Sequence, residues 1–538
     1  LDCPQIPDPH FTVENVLSVL ASLDTNTAFS PQDIPPIILK KCRSLLAPSL
    51  CIIFNVSIRC KTVPLEWKKA RVVPVFKKGD KSAVSNYRPI SILCIVSKVM
   101  ERCVFNHMYP LLSSFIHPLQ HGFCKGRSCT SQLLDVYNRI GSILDKGGQI
   151  DVVFLDFSKA FDCVSHKLLL YKLKHFYGVD GNLLEWIRSY LSERSQSVIV
   201  EGKSSTWLGV PSGVPQGSIL GPLLFLLFIN DMPYKTLHCT TALFADDSKC
   251  FKSINTTHDC ELLQRDLNAM HEWSLIWQMS FNPSKCKVLS ITRSHAPIHF
   301  NYAMNGVILD HVNVFKDLGV FIDQTLSFST HIESTILKCN KMCGIVKRTI
   351  GFNAPVNVKS SLFMSLCRSH LDFASPVWSP HLKSKVKQIE SVQRSMTRFI
   401  LNNADLSYIE RCQFLEILPL SFRREITDLL FLFKYFNGAM NVDFTSIVAK
   451  RCFNTRLRSG PFIELLTPTP RTDSFINFYF NRVAHMWNIL PLEIRSCLSV
   501  STFKSKLLSF YSNKMCFYDV NNSCTWTSTC RCNGFYHT

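Results

Sequence analysis

Residues 154–166 read FLDFSKAFDCVSH, and residues 241–249 read TALFADDSK. Each contains a short apolar run that ends in acid. Asp156 follows IDVVFL (150–155), and Asp246 and Asp247 follow TALFA (241–245). Such runs read as buried strands. A single aspartate at a strand end is most often a turn residue or a helix cap. Three of them at the ends of two strands form a set of hard oxygen donors. That is the ligand chemistry Mg²⁺ demands, and it suits a pair of ions about 3.5–4 Å apart.

Working outward, VPSGVPQGSILGPLLF (210–225) places a Pro/Gly turn before a buried helix over 219–230. SVIVE (197–201) and TWLGV (206–210), separated by Gly202, read as a hairpin. Helical spacing covers 165–192 and 258–279, the latter with Leu262, Leu263, Leu267, Met270 and Trp273 on its apolar side. A polar stretch, 248–257, lies between the acid pair and that helix. Upstream, helices are expected over 11–23, 37–46 and 91–112. ARVVPVF (70–76) reads as a strand with an edge proline, and 77–89 as a basic, turn-rich loop. Downstream, strands are expected at 286–292 and 314–322, and helices at 331–350, 355–371, 383–400, 421–436 and 475–490. The fold class is therefore α+β.

The chain has 538 residues, 46% hydrophobic and 18% charged, enough to bury a sizeable core. This excludes a disordered, collagenous or coiled-coil chain. Its 59 Lys+Arg against 40 Asp+Glu give a net charge of +19, which points to a polyanionic partner, nucleic acid before an anionic membrane. The excess is uneven: residues 331–538 hold 26 basic and 13 acidic residues, a net of +13, and residues 1–330 hold 33 and 27, a net of +6. Lys338, Lys341, Lys347 and Arg348 fall along one predicted helix, where several can share a face. The 23 cysteines are mostly single and set in apolar text, as buried free thiols in a reducing compartment would be. Cys524, Cys530, Cys532 and His537 match no standard zinc finger. There is no signal peptide and no apolar run long enough to span a membrane. The chain begins at Leu1 without Met, as a piece of a longer polyprotein would.

Two further blocks lie upstream, FKKGDKSAVSNYRPISIL (76–93) and QHGFCKGRSC (120–129). Together with LDFSKAFD, SGVPQGS and FADD they form five blocks. In order and spacing these resemble the reverse transcriptase domain of non-LTR (LINE-type) retrotransposons, in the jockey-like part of that group. The likeness covers about residues 10–330. VFKDLGV (314–320), PVWSP (376–380), IESVQR (389–394) and WNILP (487–491) extend it more weakly.

The resemblance implies a right-hand polymerase of fingers, palm and thumb, with a mostly helical, basic C-terminal region. Its parts would be a helical N-terminal extension (1–60), fingers and palm (61–330), thumb and helical C-terminal region (331–515) and a disordered tail (516–538). It implies an RNA-directed DNA polymerase using two Mg²⁺ ions, with Mn²⁺ able to substitute. Asp156 and Asp246 would be the principal metal ligands and Asp247 the supporting acid. Phe161 would sit under the sugar as a steric gate, and Gln216 beside the incoming nucleotide. Arg88 and Lys77, with Lys78 near, would face the triphosphate. Lys125 and Arg127 would touch template or primer phosphate, and Lys316 would belong to the hairpin that grips the primer end.

The implied partners are an RNA template, a DNA primer or nicked target DNA, and deoxynucleoside triphosphates, with no membrane. The implied location is intracellular, the nucleus for target priming, with a cytoplasmic RNA–protein complex besides. Cys163 and Ser248 depart mildly from the family's usual residues, and residues 1–10 hold none of its usual upstream endonuclease. An element-derived protein that binds RNA without polymerising is the alternative reading. The intact Asp156, Asp246 and Asp247 weigh against it. A maturase- or telomerase-type enzyme shares the palm chemistry but suits SKAFD and SGVPQGS less well.

Overall fold

The computed structural model describes residues 5–30, 33–403, 405–448 and 464–515. The N-terminal helices are α1 (Val13–Ala21), a short helix Pro36–Lys41, and α2 (Arg43–Arg59). The segment 37–46 is thus not one helix: the chain breaks at Cys42. Strand β1 (Lys69–Phe76) pairs antiparallel with β2 (Tyr87–Ile92). α3 (Ile95–Leu112) and α4 (Cys129–Asp145) lead to β3 (Gln149–Leu155). α5 (His166–Tyr177) and α6 (Gly181–Leu191) replace the single helix expected over 165–192. They part at Gly178, whose φ of 64° ends α5 in the left-handed region. β4 (Ser195–Val200) lies parallel to the first half of β1, pairing with Lys69–Val72. Pro74 falls beyond that pairing, where β1 has become an edge and a missing N–H costs nothing.

α7 (Leu220–Ile229) is buried on nearly every side. Ser218 Oγ caps Gly221 N at 2.9 Å, and the two N–H groups before it are met from another helix. Glu101 of α3 accepts from Ile219 N at 2.8 Å and Leu220 N at 3.1 Å. β5 (Thr240–Phe244) turns into β6 (Asp247–Ile254), followed by α8 (Thr257–Ile276) and β7 (Lys287–Ile291). β6 corrects the reading of 248–257 as a polar connection. Its charged and hydroxyl side chains hid a strand whose residues Ser248–Phe251 are all buried. β8 (Val314–Asp317) and β9 (Val320–Asp323) form a hairpin. Leu318 and Gly319 turn it at φ 44° and 92°, as a two-residue primed turn requires.

The central sheet has the order Asp310–His311, β7, β3, β6, β5. β3 lies in its middle, paired antiparallel on both sides, and all seven of its residues are buried. Side chains alternate across a strand, so β3 serves two cores. Val153 and Leu155 join α3, α5, α6, α7 and α8 on one face. Ile150, Val152 and Phe154 face the other core. That second core is shared with α4 and with the C-terminal helices α9 (Ser329–Ile350), α10 (Lys383–Leu401), α11 (Leu420–Phe436), α12 (Tyr479–Ile489) and α13 (Val500–Lys514). α13 and a short helix at Tyr408–Phe414 were not expected from the sequence. The expected helix over 355–371 contains a π-helical turn at Phe363–Arg368. The tail 516–538, with its cysteines, lies outside the described residues. Among the described residues, no helix is long and apolar enough to cross a membrane.

Candidate active site

Asp156 follows the last residue of β3, and Asp246 and Asp247 lie where β5 turns into β6. Leu155 is in register with Ser248 on an antiparallel ladder. Asp156 is the residue after Leu155 and Asp247 the residue before Ser248, so both acids stand at the same end of this ladder. Phe244 pairs with Asp247, which leaves Ala245 and Asp246 as a two-residue loop.

Ala245 takes that turn at φ 55°, a conformation that persists only where its surroundings over-determine it. The segment 119–122 does so. Gln120 Oε1 accepts from Ala245 N at 2.9 Å and from Gly122 N at 2.8 Å. Leu243 donates to Leu119 O at 3.0 Å and accepts from His121 N at 2.9 Å. Gln132 Nε2 adds a bond to Leu243 O at 2.5 Å. A Cβ on Gly122 would lie 2.1 Å from Ala245 N, so glycine is required for this approach.

The acids act on one another. Burial, then Asp246, Asp317 and Asp156, pushes the Asp247 carboxyl up to about 6, against the pull of Lys249. Asp246 is raised by burial and, behind that, by Asp156, while its own backbone bond, Arg88 and Lys77 pull it down. Lys285 Nζ stands 3.1 Å from Asp156 Oδ2. Asn282 N donates to Asp156 O at 2.8 Å, pinning the segment after α8 to the end of β3.

Beneath the site lies a buried network. Asp317 of β8 forms an ion pair with Lys249 of β6 and accepts from Tyr137 Oη of α4 at 2.7 Å. Among the described residues, no group of three or more His, Cys, Asp or Glu side chains is closed into a metal cage. Asp156 and Asp246 both act electrostatically on Asp247 at these strand ends. An all-oxygen donor set under mutual repulsion fits a hard divalent cation, whose charge would relieve that repulsion.

Residues 75–295 match the family model described as reverse transcriptase (RNA-dependent DNA polymerase). They form a reverse transcriptase domain. The chain is 26% identical over 414 residues to the probable RNA-directed DNA polymerase from transposon BS of Drosophila melanogaster, covering 73% of this chain and 45% of that protein. It is 28% identical over 412 residues to the RNA-directed DNA polymerase from mobile element jockey of the same species, covering 73% and 44%. The chain thus spans under half the length of these relatives. A solved apo telomerase from Candida tropicalis, truncated from its C-terminal domain, covers 56% of this chain and 62% of its own at 13% identity and a TM-score of 0.34.

The acids stand at strand ends of the central sheet, and β1 and β2 belong to a second sheet with β4. Val75 pairs with Arg88 across β1 and β2, and both Arg88 and Lys77 act electrostatically on Asp246. Lys78 is exposed beside them. Phe161 is stacked on Phe225 at 4.3 Å and meets Phe123 edge-on at 6.0 Å, so its ring is held in one orientation.

Gln216 Nε2 donates to Asp162 Oδ1 at 3.2 Å, and Gln216 O accepts from Ser91 N at 2.8 Å. The PQG loop is thereby fastened between the acid-bearing turn and β2. Gly213 makes this possible: at φ 87°, its Cβ would fall 2.7 Å from Asp162 Cα. Lys125 is exposed, with its backbone N donating to Tyr109 Oη at 2.8 Å. Lys316 lies exposed on β8, 5.3 Å from the centroid of the Phe321 ring.

Arg127 is tied into the protein through Nε and Nη1. Its Nη1 donates to the carbonyls of His117, Pro118 and Gln120, and its Nε to Asn441 O at 2.7 Å. It braces the segment that holds the Ala245 turn. Five residues that shape the site were not singled out from the sequence: Gln120, Gly122, Lys249, Lys285 and Asp317. Gln120 and Gly122 stood in plain view within QHGF, next to the lysine and arginine that drew attention.

Proposed function

We propose that the chain is the polymerase part of a non-LTR retrotransposon. It adds deoxynucleotides to a primer 3′-hydroxyl on an RNA template, and it works by target-primed synthesis at a nicked chromosomal end in the nucleus. The observation that carries this reading is that Asp156 directly follows β3, whose Leu155 pairs with Ser248, while Asp246 and Asp247 stand where β5 turns into β6, with Asp156, Arg88 and Lys77 all acting electrostatically on Asp246. Two Mg²⁺ ions, held by Asp156, Asp246 and Asp247, would supply the positive charge that stabilises the attacking and leaving oxygens.

The remaining roles belong to the chain's own side chains. Arg88 and Lys77 bind the triphosphate oxygens and orient the α-phosphorus toward the primer end. The primer 3′-hydroxyl gives its proton to solvent as its oxygen bonds to that phosphorus, the bond to the bridging oxygen breaks, and pyrophosphate leaves. Lys285, paired with Asp156 in the free protein, keeps this carboxylate compensated until substrate arrives. Phe161 sits under the sugar, and Gln216, held by Asp162, positions it.

Primer extension on an RNA template with Mg²⁺ tests the reading. Asp156→Ala and Asp246→Ala should each abolish nucleotide addition and leave RNA binding largely intact, because phosphate contacts come from the basic surfaces. Near-normal extension by either variant would overturn the assignment.

A further inference from the structure

The four cations expected to share the first helix of the C-terminal region divide between two of its faces. At 3.6 residues per turn, Lys338, Lys341 and Arg348 fall on one side of α9. Lys347 turns away toward α10, where its Nζ donates to Ser395 Oγ at 3.0 Å. Beyond it lies an open groove of about 590 Å³ between the C-terminal ends of α9 and α10. Its lining includes Lys347, Arg394, Arg398, Phe352, Phe399 and Asn402, and no carboxylate. We propose that this groove is a second nucleic-acid site, taking a single-stranded stretch outside the catalytic cleft.

The first support is uncompensated charge. Arg394 and Arg398 stand one turn apart on the same face of α10, about 5–6 Å between Cβ atoms. Among the described residues, neither forms an ion pair. Their effect is felt by a neighbour: burial first, then Arg398 and Arg394, holds the Arg411 guanidinium below its ordinary range. Two helix C-termini, at Ile350 and Leu401, point carbonyl ends at this region. They oppose an anion by roughly half a charge each. Three full cations outweigh them, so the groove favours phosphate by side chains alone.

The second support is an aromatic surface beside those cations. Phe352 is 62% exposed on the rim. It meets Phe399 only edge-on, at 5.2 Å and 63°, which leaves a ring face open. Cations that track a backbone, set next to an exposed ring, are the features by which proteins hold unpaired strands. A base face is available for stacking in a single strand and hidden in a duplex. The inference rests on the polymerase reading only in supposing that the chain handles nucleic acid. It does not depend on the palm chemistry.

The test uses the full chain, the double variant R394Q/R398Q and, separately, Phe352→Ala. Binding of a labelled oligouridine, an oligothymidine and a blunt RNA hairpin is followed by fluorescence anisotropy across a salt series. Each neutralised single-strand phosphate contact removes about 0.7 from the log–log salt slope. The double variant should therefore lose about 1.4 on the single strands. Phe352→Ala should lose about fivefold in affinity at an unchanged slope, as a stacking contact does. Hairpin binding should be the same for all three proteins.

Loss on oligouridine alone assigns an RNA strand, and loss on both oligomers assigns a single strand whatever its sugar. Single-strand binding that equals the unmodified protein's in both variants, or a hairpin loss as large as the single-strand loss, overturns the proposal. Photocrosslinking of oligouridine to the peptide spanning 391–403 gives a second readout that needs no variant; a crosslink absent there and present elsewhere also overturns it. Repeating the binding series in Asp156→Ala separates the two readings. If that variant still extends primers, the catalytic assignment fails while the groove is judged by its own slopes.

Discussion

Phe161 shows how a residue's role depends on how firmly it is held. Its ring is wedged between Phe225 and Phe123, so in the proposed gate it would not swing aside when a ribonucleotide enters. A rigid ring under the sugar excludes a 2′-hydroxyl by overlap rather than by losing a bond. Phe161→Ala should therefore raise ribonucleotide incorporation while leaving deoxynucleotide addition on the same template nearly unchanged. Extension with each nucleotide class, compared as kcat/KM, reads this directly, and unchanged sugar discrimination would remove Phe161 from the gate. Lys285 behaves oppositely. It and Asp156 are both substantially exposed, and an exposed pair of this kind is worth ~0.2–1 kcal/mol. Lys285→Ala should therefore tighten Mg²⁺ binding to the free protein by no more than about fivefold, measured calorimetrically without nucleotide.

At the scale of elements, β6 and the β8–β9 hairpin are joined by a buried ion pair, Lys249 with Asp317, each nearly inaccessible to water. Removing one partner of a buried pair leaves the other uncompensated, at a cost of ~3–5 kcal/mol. Lys249→Met and Asp317→Leu should each lower the unfolding free energy by that much, read as a lower urea midpoint at a constant m-value. The double variant should recover part of the loss, because two apolar groups need no partner, while Tyr137 Oη still loses its acceptor. A double variant as unstable as the sum of the singles would show that the two side chains act independently.

This same pair marks where sequence reading stopped. Asp156, Asp246 and Asp247 were legible because each ends an apolar run, a local pattern. Lys249 and Asp317 lie 68 positions apart, and Gln120 and Ala245 lie 125 apart. No local periodicity reports such a partnership. A lysine inside a strand reads as exposed, and the whole of β6 was lost to that signal. α5 and α6 merged for a related reason: apolar spacing runs through Gly178 without recording that the backbone turns left-handed there.

For the molecule as a whole, two faces of one sheet feed two cores, and the segments that connect them carry buried neutral histidines. His121 lies in the segment that holds the Ala245 turn, with Nδ1 2.8 Å from Ser131 Oγ, and it is 3% exposed. Burial, then Arg127 and Lys249, pushes it down to about 3. His331 begins α9, where it packs on Trp378 at 5.1 Å and accepts from Phe321 N at 3.3 Å. Burial, then Lys316, lowers it to about 4. An unfolded histidine titrates near 6.5. Between that value and the folded ones, the unfolded chain binds protons that the folded chain refuses.

Stability from these groups is therefore complete above about pH 6.5 and falls as the pH drops toward 4, by roughly 1.4 kcal/mol per pH unit for each histidine. Asp247, raised to about 6, contributes with the opposite sign, since its folded form gains a proton more readily than its unfolded form. The comparison must therefore be made between variants, not along one curve. His121→Asn and His331→Asn should each flatten the fall of unfolding free energy between pH 6.5 and 4.5 by up to about 1.4 kcal/mol per pH unit, whatever they do to stability at neutral pH. Urea unfolding in metal-free buffer at several pH values measures this slope. Curves that run parallel to the unmodified protein's would mean that both rings take up their protons in the folded state, and that acid opens the molecule somewhere other than these two seams.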